Sequence, residues 1–422
     1  MPLPDPPTNP TNMHDAGDHP ATAPLRVLVL SDVFPNALHP TEGLFVYERT
    51  LALARRCEVR VVAPIPWMLY RGRPRFYLGR GIPRSTTRGG LEVLHPRWFY
   101  VPRFWKALDG WLMFLSILPA VARLRRSFDF DVIQTNWVLP TGVAGVLLGR
   151  LYGRPVEITL RGMIGLLTGE RARSALMRWV LREAAVVNAV SPNLLETADE
   201  LGCDPAKATL ISNGVNHDVF APLDRSEARK RCDLPRDGRV ILTVGNLNPR
   251  KGHHRVMRCI PELRRRHGDV VHVVAGGAGY EGDMTQELEG LRFELGLDGV
   301  VRFLGNVAPD QLRIWICASD FLCLSSAFEG WPNVLLEAMA CGRPVVTSAV
   351  GAAHRIVPRE DLGIVYEPFD SHDALLDALD RALRTAWDTG AITEYARGHS
   401  WERTAGNLYR SLLVAVGRRG EG

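Results

Sequence analysis

Two glutamates eight positions apart, Glu329 and Glu337, close the segment Glu329-Gly-Trp-Pro-Asn-Val-Leu-Leu-Glu337 at either end. An apolar run, Phe321 to Leu324, precedes it, and Gly342 followed by Pro344 comes after it. The pattern predicts a strand, a loop carrying Glu329, and a helix. Pro332 suits the first helical position, where its missing N–H costs nothing, and Gly342 suits the stop. Val334, Leu335, Ala338 and Met339 then form the apolar stripe that packs on the sheet. In this register the N–H groups of Asn333 and Val334 point out of the positive helix end, a natural place for a diphosphate. Glu329 lies just before that end, and Glu337 lies about one turn further in. Two carboxylates bracketing an anion site make chemical sense as acceptors of hydroxyl pairs, such as a ribose or hexose diol presents.

Other motifs carry less. Gly277-Ala-Gly279-Tyr-Glu-Gly282 fits a dinucleotide fingerprint and follows a strand. The next strand, Val300 to Leu304, ends in Gly305-Asn306 instead of the acid that such a site wants about 20 residues on. A glycine turn that lets the backbone approach a phosphate is the better reading. Asp129-Phe-Asp131 precedes its apolar strand, so it reads as a loop cap and not as a metal pair. Seven dispersed cysteines include no Cys-x-x-Cys pair and have no histidines at ligand spacing. They read as reduced core thiols, and no metal or other cofactor is expected.

The scaffold that must position these groups is legible from periodicity. Arg26 to Leu30, Val59 to Ala63, Asp131 to Gln134, Val156 to Leu160, Ala185 to Ala189 and Thr209 to Ser212 are apolar runs of strand length. Helical spacing separates them, as in Tyr47 to Arg56. After the turn Asn213-Gly214-Val215 the cycle restarts at Val240 to Val244, Val270 to Val274, Val300 to Leu304, Phe321 to Leu324, Pro344 to Thr347 and Gly363 to Val365. Strands buried on both faces and alternating with helices mark a parallel α/β sheet. Two cycles about a hinge near 214–225 predict two Rossmann-like domains, 25–221 and 222–394. The terminal helix within 395–422 is expected to pack back on the first. Residues 1–24, with seven prolines, are expected to be a disordered tail. The ligand site is expected in the cleft at the carboxyl ends of the strands.

Composition bounds the rest. Of 422 residues, 46% are hydrophobic and 23% charged, which excludes a disordered, collagen-like or disulfide-stapled chain. The longest near-apolar run, Trp111 to Ala122, is short of the roughly 20 residues of a membrane-spanning helix. No basic start followed by an apolar core is seen, so no secretory signal is expected. The net charge of +5 hides an asymmetry: residues 60–128 hold thirteen Arg or Lys against Glu92 and Asp109, a net +11. The same segment carries 12 aromatics, including Trp98-Phe-Tyr100, Phe104-Trp105 and Trp111. Arg71, Arg73, Arg75, Arg80, Arg84 and Arg88 interleave with Tyr70, Phe76 and Tyr77. Basic groups mixed with Trp and Phe suit an anionic membrane surface. The alternative is aromatics in the core beneath a solvated arginine face.

The ordered motifs resemble the retaining glycosyltransferases of glycosyltransferase family 4, which have the GT-B fold. The likeness rests on the Glu329/Glu337 segment, Val244-Gly-Asn-Leu-Asn-Pro-Arg-Lys-Gly252, Ala189-Val-Ser191, Ile211-Ser-Asn-Gly-Val215, Arg302-Phe-Leu-Gly305, Ala318-Ser-Asp320 and Trp401-Glu402. It covers nearly all of the chain from about residue 25. Ser31-Asp-Val-Phe-Pro35 with Gly43-Leu-Phe-Val-Tyr47 is similar to the subgroup that makes cell-surface polysaccharides. The resemblance implies a nucleotide-sugar donor, with Glu337 on the ribose and Glu329 on the donor sugar. It implies that Lys251 neutralises the departing diphosphate; Arg250 is either a helper or a solvated loop charge. Gly43, Asn246, Gly277, Gly330, Trp331, Asn333 and Val334 complete the implied donor side. Arg161 is implied to contact the leaving group or the acceptor, and Asn136 falls on the acceptor side. The chain departs from the family where Asn246 replaces a frequent arginine, Asn136 a frequent histidine, and Arg355 a frequent glutamate. No general base can therefore be named. The acceptor implied is a glycan or lipid-linked molecule, not nucleic acid, handled in the cytoplasm or on the inner face of the plasma membrane. A non-catalytic nucleotide-sugar-binding homologue is the alternative.

Overall fold

The computed structural model describes residues 24–71, 73–76, 79–101, 105–162, 164, 170–279 and 282–417. The expectation for residues 1–23 lies outside these, as do Tyr77, Arg103, Phe104, Tyr280, Glu281 and the side chains of Tyr70, Arg71, Arg73, Arg75 and Phe76.

The first half contributes β1 (Arg26–Leu30), β2 (Glu58–Val62), β3 (Ile65–Pro66), β4 (Met68–Arg71), β5 (Arg73–Phe76) and β6 (Ser85–Arg88). It continues with β7 (Leu91–Leu94), β8 (Arg97–Trp98), β9 (Val132–Asn136), β10 (Val156–Leu160), β11 (Val186–Ala189) and β12 (Ala208–Leu210). Eight of these form one sheet in the order β12-β11-β10-β9-β1-β2-β7-β6. Only β6 runs antiparallel, paired with β7. This edge is not visible in the periodicity, because Ser85-Thr-Thr-Arg88 is polar and half solvated. Val27 pairs with Val59 on one side and Val132 on the other, so the central strand is covered on both edges. All five residues of β9 and of β10 are buried, as parallel strands under helices on both faces require.

The second half holds β13 (Arg239–Val244), β14 (Val270–Ala275), β15 (Val301–Gly305), β16 (Phe321–Leu324), β17 (Val345–Ser348) and β18 (Gly363–Tyr366). They form an all-parallel sheet in the order β15-β14-β13-β16-β17-β18. The order reverses between β13 and β16, the switch point where a crevice opens at the carboxyl ends. The terminal helix Trp401–Ala415 places Leu408 and Leu412 in one core cluster with Leu25, Val27, Val46 and Leu53 of the first half. Gly214 sits against that helix: a Cβ there would lie 2.4 Å from Ser400 C.

Two expectations are corrected. The first helix spans Leu44–Leu53, beginning three residues before the expected Tyr47, because Gly43 (φ 73°) lets the chain turn directly into it. The apolar run at 111–122 belongs to a longer element, a 3-10 turn at Lys106–Leu108 leading into the helix Asp109–Arg125. Together they are 20 residues, long and apolar enough by length and composition to cross a membrane. Pro119 lies inside the helix. In the fold, its Met113, Ile117 and Val121 face is buried in the core of the first half. All seven cysteines are free and buried.

Candidate active site

β16 delivers the chain to the loop 325–332, and the helix Asn333–Ala340 follows. Pro332 has φ −76° and ψ 92°, so it is the N-cap and not the first helical residue; Asn333 takes that place. Leu335, Leu336, Ala338 and Met339 are buried beneath the helix, while Val334 is only half-buried. The side chain of Asn213, from the turn between the halves, donates to Asn333 Oδ1 at 3.0 Å. The helix N-terminus, with its outward-facing N–H groups, therefore opens where the two halves meet. Trp331 is buried, and Gly330 abuts Gly162 of the other half: a Cβ on Gly162 would lie 3.2 Å from Gly330 N.

Glu329 is nearly buried but surrounded by cations. Its Oε1 accepts from Lys251 Nζ at 2.6 Å and from Ser326 Oγ at 2.7 Å, and Arg250 Nη1 stands 3.3 Å away. Burial by itself would raise this carboxyl; the charges of Lys251 and Arg250, with the hydrogen bonds of Lys251 and Ser326, outweigh it and hold the group below its usual range. Glu329 is thus an ionised carboxylate whose counter-ions belong to the loop after β13. That loop is tightly built. Asn248 Oδ1 accepts from Lys251 N at 3.1 Å, and Ala327 N donates to Arg250 O at 2.8 Å. Arg250 Nη1 also donates to Phe328 O at 2.8 Å. At Gly252 (φ 72°) a Cβ would come within 1.9 Å of Ser325 O, so only glycine permits the two loops to touch.

Glu337 is different. It has no hydrogen-bond or ion-pair partner among the described residues, and burial first, then the charge of Glu48, raise its carboxyl to about 7. Glu48 belongs to the Leu44–Leu53 helix of the other half and accepts from Asn216 Nδ2 at 3.2 Å. Glu337 therefore faces the cleft unpaired, as a group whose partner is a ligand would.

Asn246 is exposed at the carboxyl end of β13, and Gly277 follows β14 beside it. Leu247 N donates to Gly277 O at 2.8 Å, and the Asn306 side chain covers Gly277 so closely that a Cβ there would lie 2.9 Å from it. Asn246 and Gly277 thus form the lip of the site at two adjacent strand ends, with Lys251 further along the Asn246 loop.

From the first half, Arg161 directly follows β10 and Asn136 ends β9. The Arg161 Nε and Nη2 donate to Asn136 Oδ1 at 3.0 and 2.9 Å, and Nη1 reaches Asn213 Oδ1 at 3.4 Å. The guanidinium also lies 4.8 Å from the Phe45 ring centroid and 5.7 Å from that of Trp137. Burial, then the nearby Arg49, pull its pKa well down, opposed by Glu157; an arginine nonetheless keeps its proton. The result is a desolvated cation stacked on aromatic faces, linked through Asn213 to the helix end at Asn333. Gly43 shapes the neighbouring loop: a Cβ on it would meet Val33 O at 2.7 Å.

Three positioning residues escape sequence reasoning. Asn213 is visible along the chain only as part of a hinge motif, yet it joins Arg161 to Asn333. Asn248 caps the Lys251 turn, for which Asn followed by Pro249 is the available signal. His253 carries no motif signal: its Nε2 lies 3.1 Å from Gly245 O and 3.2 Å from Asn246 O, and burial drives its pKa down to about 4. It is a neutral imidazole that holds the lip loop in place.

Two facing Rossmann-like halves with an anion-receptive helix end and a carboxylate–lysine pair in the cleft define a GT-B glycosyltransferase. Residues 224–399 match the family described as "Glycosyl transferases group 1", and residues 45–214 match the "Glycosyl transferase 4-like domain". The D-inositol 3-phosphate glycosyltransferase of Frankia alni is 30% identical over 79% of this chain and 84% of its own length. That of Nocardioides is 32% identical, the alignment spanning 65% of each chain. The chain belongs to the group 1 glycosyltransferases. Among solved structures, the sucrose-phosphate synthase of Thermosynechococcus elongatus superposes with a TM-score of 0.74 at 23% identity, covering 93% of this chain and all of that one. Anabaena HepE, solved with UDP-glucose, superposes with a TM-score of 0.68 at 19% identity over 92% of this chain and 99% of its own. These likenesses establish the fold.

Proposed function

We propose that the chain is a family 4 enzyme that moves a sugar from a nucleotide-diphosphate sugar to a glycan or lipid-linked acceptor, with retention and without a metal, in bacterial surface polysaccharide synthesis. The observation that carries this reading is the Glu329–Lys251 pair beside the Asn333 helix end, with Glu337 unpaired further along the helix. The diphosphate lies against the N–H groups of Asn333 and Val334, near Lys251 and Arg250, and Glu337 accepts the ribose hydroxyls. The acceptor hydroxyl oxygen bonds to the anomeric carbon from the face the leaving group vacates. The bond from that carbon to the phosphate oxygen breaks with its electron pair going to the diphosphate, which takes up the hydroxyl proton. Charge on the diphosphate grows in this step, and a fixed ammonium nearby favours it. No acid–base carboxylate pair at glycosidase spacing is needed.

The membrane reading is part of this proposal. Along and just before the Asp109–Arg125 helix, Trp105, Leu108, Trp111 and Leu115 are 71%, 47%, 42% and 62% exposed. Arg80, Arg84, Arg123 and Arg126 are exposed as well. An apolar stripe accompanied by cations suits the inner face of an anionic membrane, where a lipid-linked acceptor would be collected. Trp98 is buried instead, so the segment divides between core and surface.

The test is a thermal-shift screen of nucleotide-sugars, followed by nucleotide release from each donor that shifts the midpoint. Release identifies a transferase active site. Tight binding of a donor that is never turned over, with or without glycan acceptors, would make the chain a binding protein and overturn the reading.

A further inference from the structure

Parallel strands covered by helices on both faces are expected to be apolar throughout, yet one face of the first sheet carries a row of buried polar side chains. Gln134 and Asn136 alternate on β9, Glu157 and Thr159 alternate on β10, and Asn188 lies on β11. The register pairs Glu157 with Gln134, and Thr159 with Asn136 on one side and Asn188 on the other. Residues two apart along a strand share a face, so these groups adjoin beneath the cleft. Arg161 continues the alternation just past β10.

The hydrogen bonds along this row run in one direction. Arg161 can only donate, so Asn136 turns Oδ1 towards it and accepts from Nε and Nη2. Asn136 Nδ2 then donates to Gln134 Oε1 at 3.4 Å. That fixes the Gln134 amide, whose Nε2 donates to Thr159 Oγ1 at 3.2 Å and to Thr135 O at 2.9 Å. The Thr159 hydroxyl donates in turn to Glu157 Oε1 at 2.7 Å. Asn188 Nδ2 donates to the same oxygen at 2.7 Å, while Asn188 Oδ1 accepts from Ser411 Oγ of the terminal helix at 3.1 Å. With a donor-only guanidinium at one end and an acceptor oxygen at the other, each amide and hydroxyl between them has a single orientation.

Charge follows the same route. Arg49 lies one turn after Phe45 on the Leu44–Leu53 helix, and the Phe45 ring carries the Arg161 guanidinium, so both buried cations lie on this side of the sheet. The three guanidinium nitrogens of Arg49 have no hydrogen-bond partner among the described residues, and neither has Glu157 Oε2. Burial lowers both guanidiniums, Arg49 adds to this at Arg161, and Glu157 opposes it at each. Burial likewise raises the Glu157 carboxyl, against the charge of Arg49 and the hydrogen bonds of Thr159, Asn188 and Gln134. The transferase reading uses none of Gln134, Glu157 and Thr159.

We propose that Glu157 is a positioning residue for the transfer: as terminal acceptor of the Thr159–Gln134–Asn136 chain and counter-charge of Arg49 and Arg161, it holds the Arg161 guanidinium in place in the cleft. The proposal rests on the transferase reading and adds the group that acts behind Arg161. Arg161 reaches the Asn333 helix end through Asn213. In that reading the diphosphate and the ribose are held by groups of the second half. A disturbed Arg161 should therefore show in turnover and not in donor affinity.

The test combines nucleotide release, calorimetric donor binding and thermal melts on the full chain, with the nucleotide-sugar that the wild type turns over fastest. Thr159→Val severs the chain and leaves every charge in place. Its turnover should fall about tenfold, less than the roughly 100-fold cost of a 1 Å displacement of a positioned group, while donor affinity stays at the wild-type value. Thr159→Ser, which restores the hydroxyl, should recover the turnover. Glu157→Gln keeps an oxygen for Thr159 and Asn188 but removes the charge, and should lower both turnover and the thermal midpoint. Adding Arg49→Met takes away the stranded cation, so the double variant should regain the midpoint but not the turnover. If Glu157 served stability alone, turnover would return with the midpoint. Wild-type turnover in Thr159→Val, a loss of donor affinity as large as the loss of turnover, or a double variant that regains both would overturn the proposal and leave the transferase reading standing. Should Glu157→Gln fail to fold, the two Thr159 variants decide. If the wild type releases no nucleotide from any donor, the transferase reading falls and the proposal with it.

Discussion

Acidification should release the donor through Glu337. Its carboxyl is raised from an ordinary 4.5 to about 7 by burial and by Glu48, and it has no partner among the described residues. Only the ionised form can accept from both hydroxyls of a ribose diol, so the apparent dissociation constant is the intrinsic one divided by the ionised fraction. Moving from about pH 8 to about pH 6 lowers that fraction about tenfold and should weaken binding equally. The diphosphate of a nucleotide-sugar has no group titrating in this window, which makes it a cleaner probe than a free nucleotide. Glu337→Gln should flatten the profile and weaken binding at about pH 8 by roughly ten- to a hundredfold, the value of a ~1.5–3 kcal/mol hydrogen bond to a charged group. Stability should move the other way. A raised carboxyl means that the folded state holds the extra proton between 4.5 and about 7. The unliganded protein therefore loses stability as pH rises through that window. Glu337→Gln, which buries no charge, should raise the unliganded thermal midpoint at about pH 8 while reducing donor affinity. Calorimetric titration with the best nucleotide-sugar across this range, paired with thermal melts, measures both. A wild-type affinity that is flat with pH, or a Gln variant that keeps the slope, would refute the assignment of Glu337 to the donor hydroxyls.

Lys251→Ala should lower turnover more than donor affinity, because the diphosphate gains charge as the sugar departs; steady-state kinetics showing a raised Michaelis constant at unchanged turnover would make Lys251 a ground-state anchor only. Replacing Trp111 and Leu115 together by Ser should reduce co-sedimentation with anionic vesicles at low salt, and wild type should sediment with anionic but not neutral vesicles; no wild-type sedimentation at low salt would remove the membrane partner. Asp320→Ala should destabilise the second half by about 3–5 kcal/mol, the usual cost of stranding a buried charge, since Asp320 Oδ2 accepts from Arg229 Nη2 at 2.9 Å and Val240 N at 2.6 Å and Arg229 is 2% exposed. Chemical denaturation measures this, and an unchanged midpoint would show that Arg229 is satisfied without it.

What the sequence by itself determined was local. Runs such as Val27–Leu30 and Val240–Val244 announce parallel strands because both faces of such a strand are apolar, and that signal needs no partner to be read. The Glu329/Glu337 segment carries its helix end, its stripe and its stop in consecutive residues, with an error of one position at Pro332, where cap and first turn differ only in dihedral angles. The tertiary structure decided which groups meet. Lys251 and Glu329 are 78 residues apart, and Asn213 and Asn333 are 120 apart; no periodicity encodes such pairings, which depend on how two sheets are laid against each other. Arg161 and Asn136 touch because β9 and β10 are neighbours in register, pairing Thr159 with Asn136. Burial is equally invisible along the chain. Glu329 and Glu337 are the same residue type eight positions apart, yet one is held ionised by two cations and the other is lifted to about 7. The difference is solvent and neighbouring charge, quantities that exist only once the chain has folded.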